Sequence, residues 1–170
     1  YTTNTLSSFD GIFRYSKVTG LIDDVDSSIL SNITTVKMRK PFTPTLSSST
    51  KYNVYFRNAI YNPHSGHQSV ITSTGFKVAG NNNEMFLDDD GMGNVRLFYL
   101  VSGIKTVQNA TQGTIDYATG QITINSLDVA SVSNIRGSAS SKIEITVSPN
   151  SNDVVPVSCL LYTSPSPRDA

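Results

Sequence analysis

From residue 33 onward, apolar and polar positions alternate. Val36 and Met38 fall on one side of a period-two pattern with Thr34, and Thr35, Lys37 and Arg39 fall on the other. This predicts a strand with one face toward a core. Pro41 and Pro44 follow and are expected to end or bend that strand. In residues 51–57, Tyr52, Val54 and Phe56 share a face. Residues 70–78 read as one further strand. Residues 95–101, VRLFYLV, are apolar on both faces and therefore belong in the middle of a sheet. Residues 114–117 and 121–124 flank Ala118-Thr119-Gly120. That spacing predicts a short hairpin, with Gly120 free to take a positive φ. In residues 142–147, Ile143, Ile145 and Val147 face inward, and Pro149 closes the segment.

One stretch has the other period. Ile12, Tyr15, Val18, Leu21, Ile22 and Val25 recur at intervals of three and four, and Asp10 is placed to cap. The spacing predicts a helix over about 10–25. Gly20 within it costs about 1 kcal/mol against alanine. Asp23, Asp24 and Asp26 oppose the helix dipole at its C-terminal end and mark the exit into a loop. Many short strands separated by Gly, Asn and Asp turns give the expected class: mainly β, an antiparallel sandwich or barrel-like domain with one short N-terminal helix. The expected division is an upstream region with the helix over 1–32, an antiparallel β domain over 33–157, and a separate tail over 158–170.

The tail reads SCLLYTSPSPRDA and holds the single cysteine of the chain. A partner-binding Ser-Pro segment or a reactive thiol would each account for part of it. Residues 159–170, however, resemble without a break one translated frame of a transposase-type sequencing adaptor. Ser158 would be the junction codon, where a change in the third base separates Ser from Arg. The expectation is an artefactual tail, excluded from fold reasoning. With Tyr1 rather than Met in front, the rest is expected to be a fragment of a longer protein.

Composition narrows the function classes. Lys plus Arg number 13 and Asp plus Glu 13, and without Arg168 and Asp169 the balance stays at zero. Flat charge gives no electrostatic case for nucleic acid or an anionic membrane. The cluster Lys37-Met38-Arg39-Lys40 reads as a solvated strand face. No apolar run reaches the roughly 20 residues a membrane helix needs. Outside the tail there is no cysteine, which excludes disulfides and thiolate zinc sites.

Three patterns invite chemistry. His64 and His67, the only histidines, are spaced H-x-x-H in Asn62-Pro63-His64-Ser65-Gly66-His67. A metal would need further ligands, and Pro63 and Gly66 favour a packing or contact loop. Asp88-Asp89-Asp90-Gly91 resembles a calcium loop only superficially. With Gly91 at position six, Phe86 stands at position one and Leu97 where the bidentate Glu belongs. The stretch 88–94 reads instead as a turn between two apolar strands. The pairs Asp23/Asp24 and Asp88/Asp89 are adjacent, and neighbours on a strand point oppositely, unlike the separated carboxylates of a glycosidase. No G-x-S-x-G or phosphate-loop pattern occurs. No catalytic, metal or cofactor-binding residue is assigned, and no cofactor is expected.

An ordered set of stretches carries a resemblance. These are Phe9-Asp10-Gly11-Ile12-Phe13-Arg14, Asn58-Ala59-Ile60-Tyr61-Asn62-Pro63-His64-Ser65-Gly66-His67, and Ser73-Thr74-Gly75-Phe76. They continue with residues 86–97, the hairpin at 113–120, and Pro149-Asn150-Ser151-Asn152-Asp153-Val154-Val155-Pro156-Val157. In this order they resemble the C-terminal part of baseplate wedge protein six of T4-like contractile-tailed phages, especially the cyanophage type. The resemblance implies a structural, non-enzymatic component of the virion tail baseplate, made in the host cytoplasm. It implies partners among other copies of itself, as a dimer, and among wedge proteins seven, twenty-five and fifty-three, with no nucleic acid, membrane or small-molecule substrate. Tyr55, Ile60, Tyr61 and His64, on or beside the long loop at 58–68, are the candidate partner contacts; the alternative is that they pack this loop onto its own sheet. The competing class is a carbohydrate-binding or adhesin β-domain, which would present a coplanar exposed pair among Tyr52, Tyr55, Tyr61 and Tyr99. A hydrolase would need carboxylates converging across a pocket.

Overall fold

The computed structural model describes residues 12–27 and 33–154. Asp10, Gly11 and the tail at 158–170 lie outside the described residues. The chain divides into two compact units, one spanning Lys37–Asn150 and the other combining residues up to Val36 with those from Ser151.

The larger unit is all β. Its strands are β1 (Met38–Phe42), β2 (Thr50–Tyr55), β3 (Ile71–Ser73), β4 (Phe76–Val78), β5 (Met85–Asp89), β6 (Asn94–Val101), β7 (Ile104–Asp116), β8 (Gln121–Leu127), β9 (Val129–Val132) and β10 (Ile143–Val147). Seven of them form a curled antiparallel half-barrel in the order β2-β8-β7-β6-β5-β4-β9. Three form a smaller antiparallel sheet in the order β1-β10-β3. One hydrophobic core serves both. It takes Ile143, Ile145, Val147 and Ile71 from the small sheet, and Met85, Leu87, Val95, Ile115, Ile122 and Ile124 from the large one. As the alternation at 51–57 predicts, Val54 is buried and Tyr52 and Phe56 are half-buried, while Tyr55 is exposed. β6 is the central strand of the seven, as its two-sided apolar pattern requires. The hairpin forms between β7 and β8, and Gly120 adopts φ +70°.

Three expectations are corrected. Residues 70–78 are two strands in two sheets, because the chain crosses between them at Thr74-Gly75. The inward parity changes there, from Ile71 to Phe76 and Val78. The first strand starts only at Met38 and runs through Pro41 to Phe42. Glu144, opposite Pro41, turns its backbone N–H and C=O toward Thr74. Pro41 therefore occupies a non-hydrogen-bonded position of an edge strand, where its missing N–H falls on the outer side. Finally, Asp88 and Asp89 belong to β5, and the turn is confined to residues 90–93.

The small sheet meets β5 and β2 of the half-barrel through side chains. On the β3 side, Ser73 Oγ accepts the Leu87 N–H (2.8 Å) and Ser69 Oγ the Asp89 N–H (3.2 Å). These hydroxyls replace the ladder that β4 gives β5 only at Phe76↔Met85. On the β1 side, Lys40 Nζ donates to the Tyr55 carbonyl (2.7 Å), and Tyr52 stacks on Phe42 with its hydroxyl accepting the Thr45 N–H. The cluster at 37–40 is thus engaged: Lys37 Nζ reaches Ser148 Oγ and Arg39 reaches Glu144.

In the smaller unit, α1 (Tyr15–Asp23) is preceded by Arg14, which is extended and makes no side-chain cap bond. The cap comes from far along the chain: Asp153 Oδ1 accepts the Tyr15 N–H at 2.6 Å. An antiparallel bridge between Phe13 and Val154 holds the two segments together. Asp24 ends the helix, its N–H returning to the Gly20 carbonyl. No helix among the described residues is long and apolar enough to cross a membrane.

Candidate functional site

The acidic triplet separates into three unrelated environments. Asp88 points to the outer face of β5 and Asp89 to the inner, as alternation along a strand requires. Asp88 receives Arg96 Nε at 3.0 Å and Nη2 at 2.9 Å in a fork, and Lys105 Nζ binds the same carboxylate. These bonds hold the Arg96 guanidinium above its ordinary pKa. Asp89 is fully buried at the seam between β3 and β5. Its Oδ1 accepts the Val70 and Ile71 N–H groups at 2.8 and 3.0 Å and lies 2.7 Å from Ser69 Oγ; its Oδ2 accepts the Tyr117 hydroxyl at 2.7 Å. Burial first, and the bond to Asp89 second, push the Tyr117 phenol above its usual range. Asp90 caps its own turn, accepting from the Met92 and Asn94 N–H groups and Asn94 Nδ2. All three carboxylates are spent on structure. Among the described residues, no group of three or more His, Cys, Asp or Glu side chains converges as a metal site.

The two imidazoles also diverge. His64 is exposed, with Nδ1 3.1 Å from its neighbour's carbonyl at Ser65. His67 is buried, its Nδ1 2.7 Å from the Gln68 carbonyl and its ring edge-on to Tyr117 at 5.2 Å. Their centroids stand 6.3 Å apart at 79°. The loop carrying them is pinned down. Ile60 and Tyr61 donate to the carbonyls of Tyr117 and Ser148, and Gly66 to that of Gly91. A Cβ on Gly91 (φ +73°) would lie 2.4 Å from the His67 carbonyl oxygen, so only glycine lets loop and turn meet this closely.

The four candidate contacts therefore split. Tyr55, Tyr61 and His64 lie on the surface. Ile60 is a correction: at 1% exposure its side chain belongs to the core, and its role is to seat the loop. Of the four tyrosines that a sugar platform would draw on, Tyr52 packs on Phe42 and Tyr99 is half-buried.

A surface that the sequence pattern hid lies at the β6–β7 hairpin. β5 begins at Met85, opposite Tyr99, so the backbone of residues 100–105 runs on past it and pairs only with itself. Ser102 (φ 49°) and Gly103 (φ 81°) make the tight turn. Leu100, Val101, Ile104 and Val107 are all exposed, on both faces of the arm. Beside it, Thr72, Ser73, Phe86, Leu87, Phe98 and Leu100 line an apolar groove of about 150 Å³. Phe86 and Phe98 pair at 5.7 Å, and Lys105 Nζ sits 4.3 Å over the Phe98 ring. The available signal was Ser102-Gly103 between Leu100-Val101 and Ile104, a hairpin turn directly after the apolar run at 95–101.

Residues 1–41 match the family model described as baseplate structural protein gp6, C-terminal domain III. Of these, 12–27 and 33–41 are described here. The match supports a relationship to baseplate structural proteins. No curated protein and no solved structure matches the chain.

Proposed function

We propose that this chain is a structural part of a phage tail baseplate wedge, of the T4-like contractile type, and that it acts as an assembly module without catalysing a reaction. The observation that carries the reading is the match of residues 1–41 to the gp6 C-terminal domain III. The geometry is in keeping with it: Asp88, Asp89 and Asp90 are bound into seams and turns and His67 is buried, while Tyr55, Tyr61 and His64 lie on the surface for neighbours. The partners are other wedge proteins and further copies of the chain, in the virion tail baseplate. The cyanophage type and synthesis in the host cytoplasm belong to the same proposal.

Co-expression of the chain with the baseplate wedge proteins of a T4-like phage tests this. Co-elution with them as a defined complex on size exclusion, visible by negative-stain microscopy, is the expected result. A chain that elutes alone under every pairing would refute the reading.

A further inference from the structure

Among the described residues, the first half of β7 has an edge that no strand covers. β8 pairs with β7 only from Gly113 onward, so residues 104–112 meet β6 on one side and no strand on the other. Side chains close the far part of that edge: Asn109 Oδ1 accepts the Thr111 N–H, and Gln112 Nε2 donates to the Asn125 carbonyl. Residues 104–108 stay open. We infer that two copies of the chain join here, β7 against β7, antiparallel about a twofold axis, so that β6-β7 of one copy continues into β7-β6 of the other. The segment lies outside residues 1–41, so the inference does not rest on the family match. It takes the structural reading further by giving the surface through which copies meet.

Backbone chemistry sets the kind of occupant. Ser102-Gly103 is a two-residue turn, and Val101 and Ile104 form the hydrogen-bonded pair that closes it. Positions alternate from there. Ile104 and Thr106 face β6, while Lys105 and Val107 turn their N–H and C=O groups outward. A row of alternating main-chain donors and acceptors is matched by another extended main chain. Three features make that chain a second copy. An edge lysine ordinarily keeps strands apart, but Lys105 Nζ is turned back onto Asp88 and lies 4.3 Å over the Phe98 ring, so its ammonium is held within its own chain. No other charged residue occurs in 104–112 and the formal net charge of the chain is zero, so copies do not repel and no charge pattern selects a different partner. The apolar overhang also matches itself. Leu100 and Val107 lie on one face and Val101 and Ile104 on the other, all exposed, and twofold pairing sets each group against its own counterpart across the new ladder.

Analytical ultracentrifugation of the 170-residue chain between about 1 µM and about 1 mM, with amide hydrogen exchange followed by NMR on the same samples, tests this. The mass should rise from 18.4 kDa toward twice that value. The outward amides of Lys105 and Val107 should exchange about tenfold more slowly at the high concentration, while that of Thr106, already in the β6–β7 ladder, changes far less. Val107→Pro removes an outward N–H and leaves the ladder to β6 whole. It should keep the wild-type circular dichroism and weaken association about tenfold or more. If that variant fails to fold, the wild-type amides decide alone. A chain that stays monomeric at the highest concentration overturns the inference. So does a dimer that a folded Val107→Pro leaves intact, or concentration-dependent protection confined to residues outside 104–108. A monomeric chain whose co-elution with wedge proteins is lost in Val107→Pro overturns it too, by giving the edge to a different protein. Failure here and failure of the structural role are separate results. A monomer that joins wedge proteins removes this interface and keeps the role, and a dimer that joins none of them does the reverse.

Discussion

Asp89 sets most of what can be tested at single residues. It is a fully buried carboxylate whose acceptors are taken up by two backbone N–H groups and the Tyr117 hydroxyl, with Ser69 in reach. Tyr117→Phe takes away the partner of Oδ2 and leaves one buried carboxylate oxygen unmet, so it should lower stability by about 1–3 kcal/mol. Asp89→Leu strands three buried donors and should cost about 3–5 kcal/mol. Urea midpoints check both, and equal losses would contradict this division of labour. The turn carboxyls Asp116 and Asp90 respond to pH instead. The Thr119 hydroxyl, outweighing the small effect of burial, lowers the Asp116 pKa, helped by the Thr119 and Ala118 N–H groups. At Asp90 burial acts upward, but bonds from Asn94 and Met92 prevail and the pKa is lowered. A lowered folded-state pKa gives stability that is present above the unfolded value of about 4 and is lost as pH falls through the folded value. Asp116→Asn and Asp90→Asn should therefore each flatten the loss of Tm between about pH 5 and pH 3. A double variant as steep as the wild type would refute it.

At the scale of elements, Gly113 shows how β7 earns its bend. β7 carries extra residues against β6, pairing Val95 with Gly113, Leu97 with Asn109 and Phe98 with Val107. Asn109 and Gln112 hold that bulge, Asn109 Nδ2 bonding Gln112 Oε1 and Gln112 Nε2 reaching the Asn125 carbonyl. A Cβ on Gly113 would fall 2.0 Å from the Thr123 carbonyl oxygen on β8. Backbone cannot yield as a side chain does, so Gly113→Ala should destabilise by about 1–3 kcal/mol, whereas Gly103→Ala meets no neighbour within 4 Å and should show only the milder strain of its positive φ. A comparison of their thermal midpoints decides it. The same element explains what was legible. Segments 51–57, 95–99, 114–124 and 143–147 present a face to the core, and their periodicity reads directly. The first half of β7, TVQNATQ, is exposed on both faces for most of its length, so no alternation marks it. The break at Thr74-Gly75 shows only as a slip of one residue in parity. The cap on α1 comes from Asp153, which no local window contains. The candidate site followed the same rule. Loop membership located Tyr55, Tyr61 and His64 at the surface, but it also drew in Ile60, whose apolar side chain the core claims. Leu100 and Val101 were hidden because strand overhang depends on where β5 begins.

Across the larger unit, two sheets share one core but no continuous backbone ladder joins them. Whether they unfold together depends on that core. Ile143, Ile145 and Val147 of the small sheet are fully buried, in one cluster with Ile122 and Ile124 of the large one. The strands of the small sheet are only three to five residues long, and their buried face packs into that same core. They are also dispersed in sequence, β1, β3 and β10, so the sheet cannot form before the chain between them is ordered. The unit should therefore melt as one. With eight tyrosines and no tryptophan, near-ultraviolet tyrosine dichroism reports tertiary packing while far-ultraviolet dichroism reports the strands, and the two urea curves should coincide. Ile145→Ala and Ile124→Ala sit in different sheets, yet each should lower the same single transition by about 2–5 kcal/mol with an unchanged slope. If Ile145→Ala instead split the curve, leaving the half-barrel's signal at its wild-type midpoint, the small sheet would be an appended layer, and the Asp89 and Ser73 seam would be a hinge.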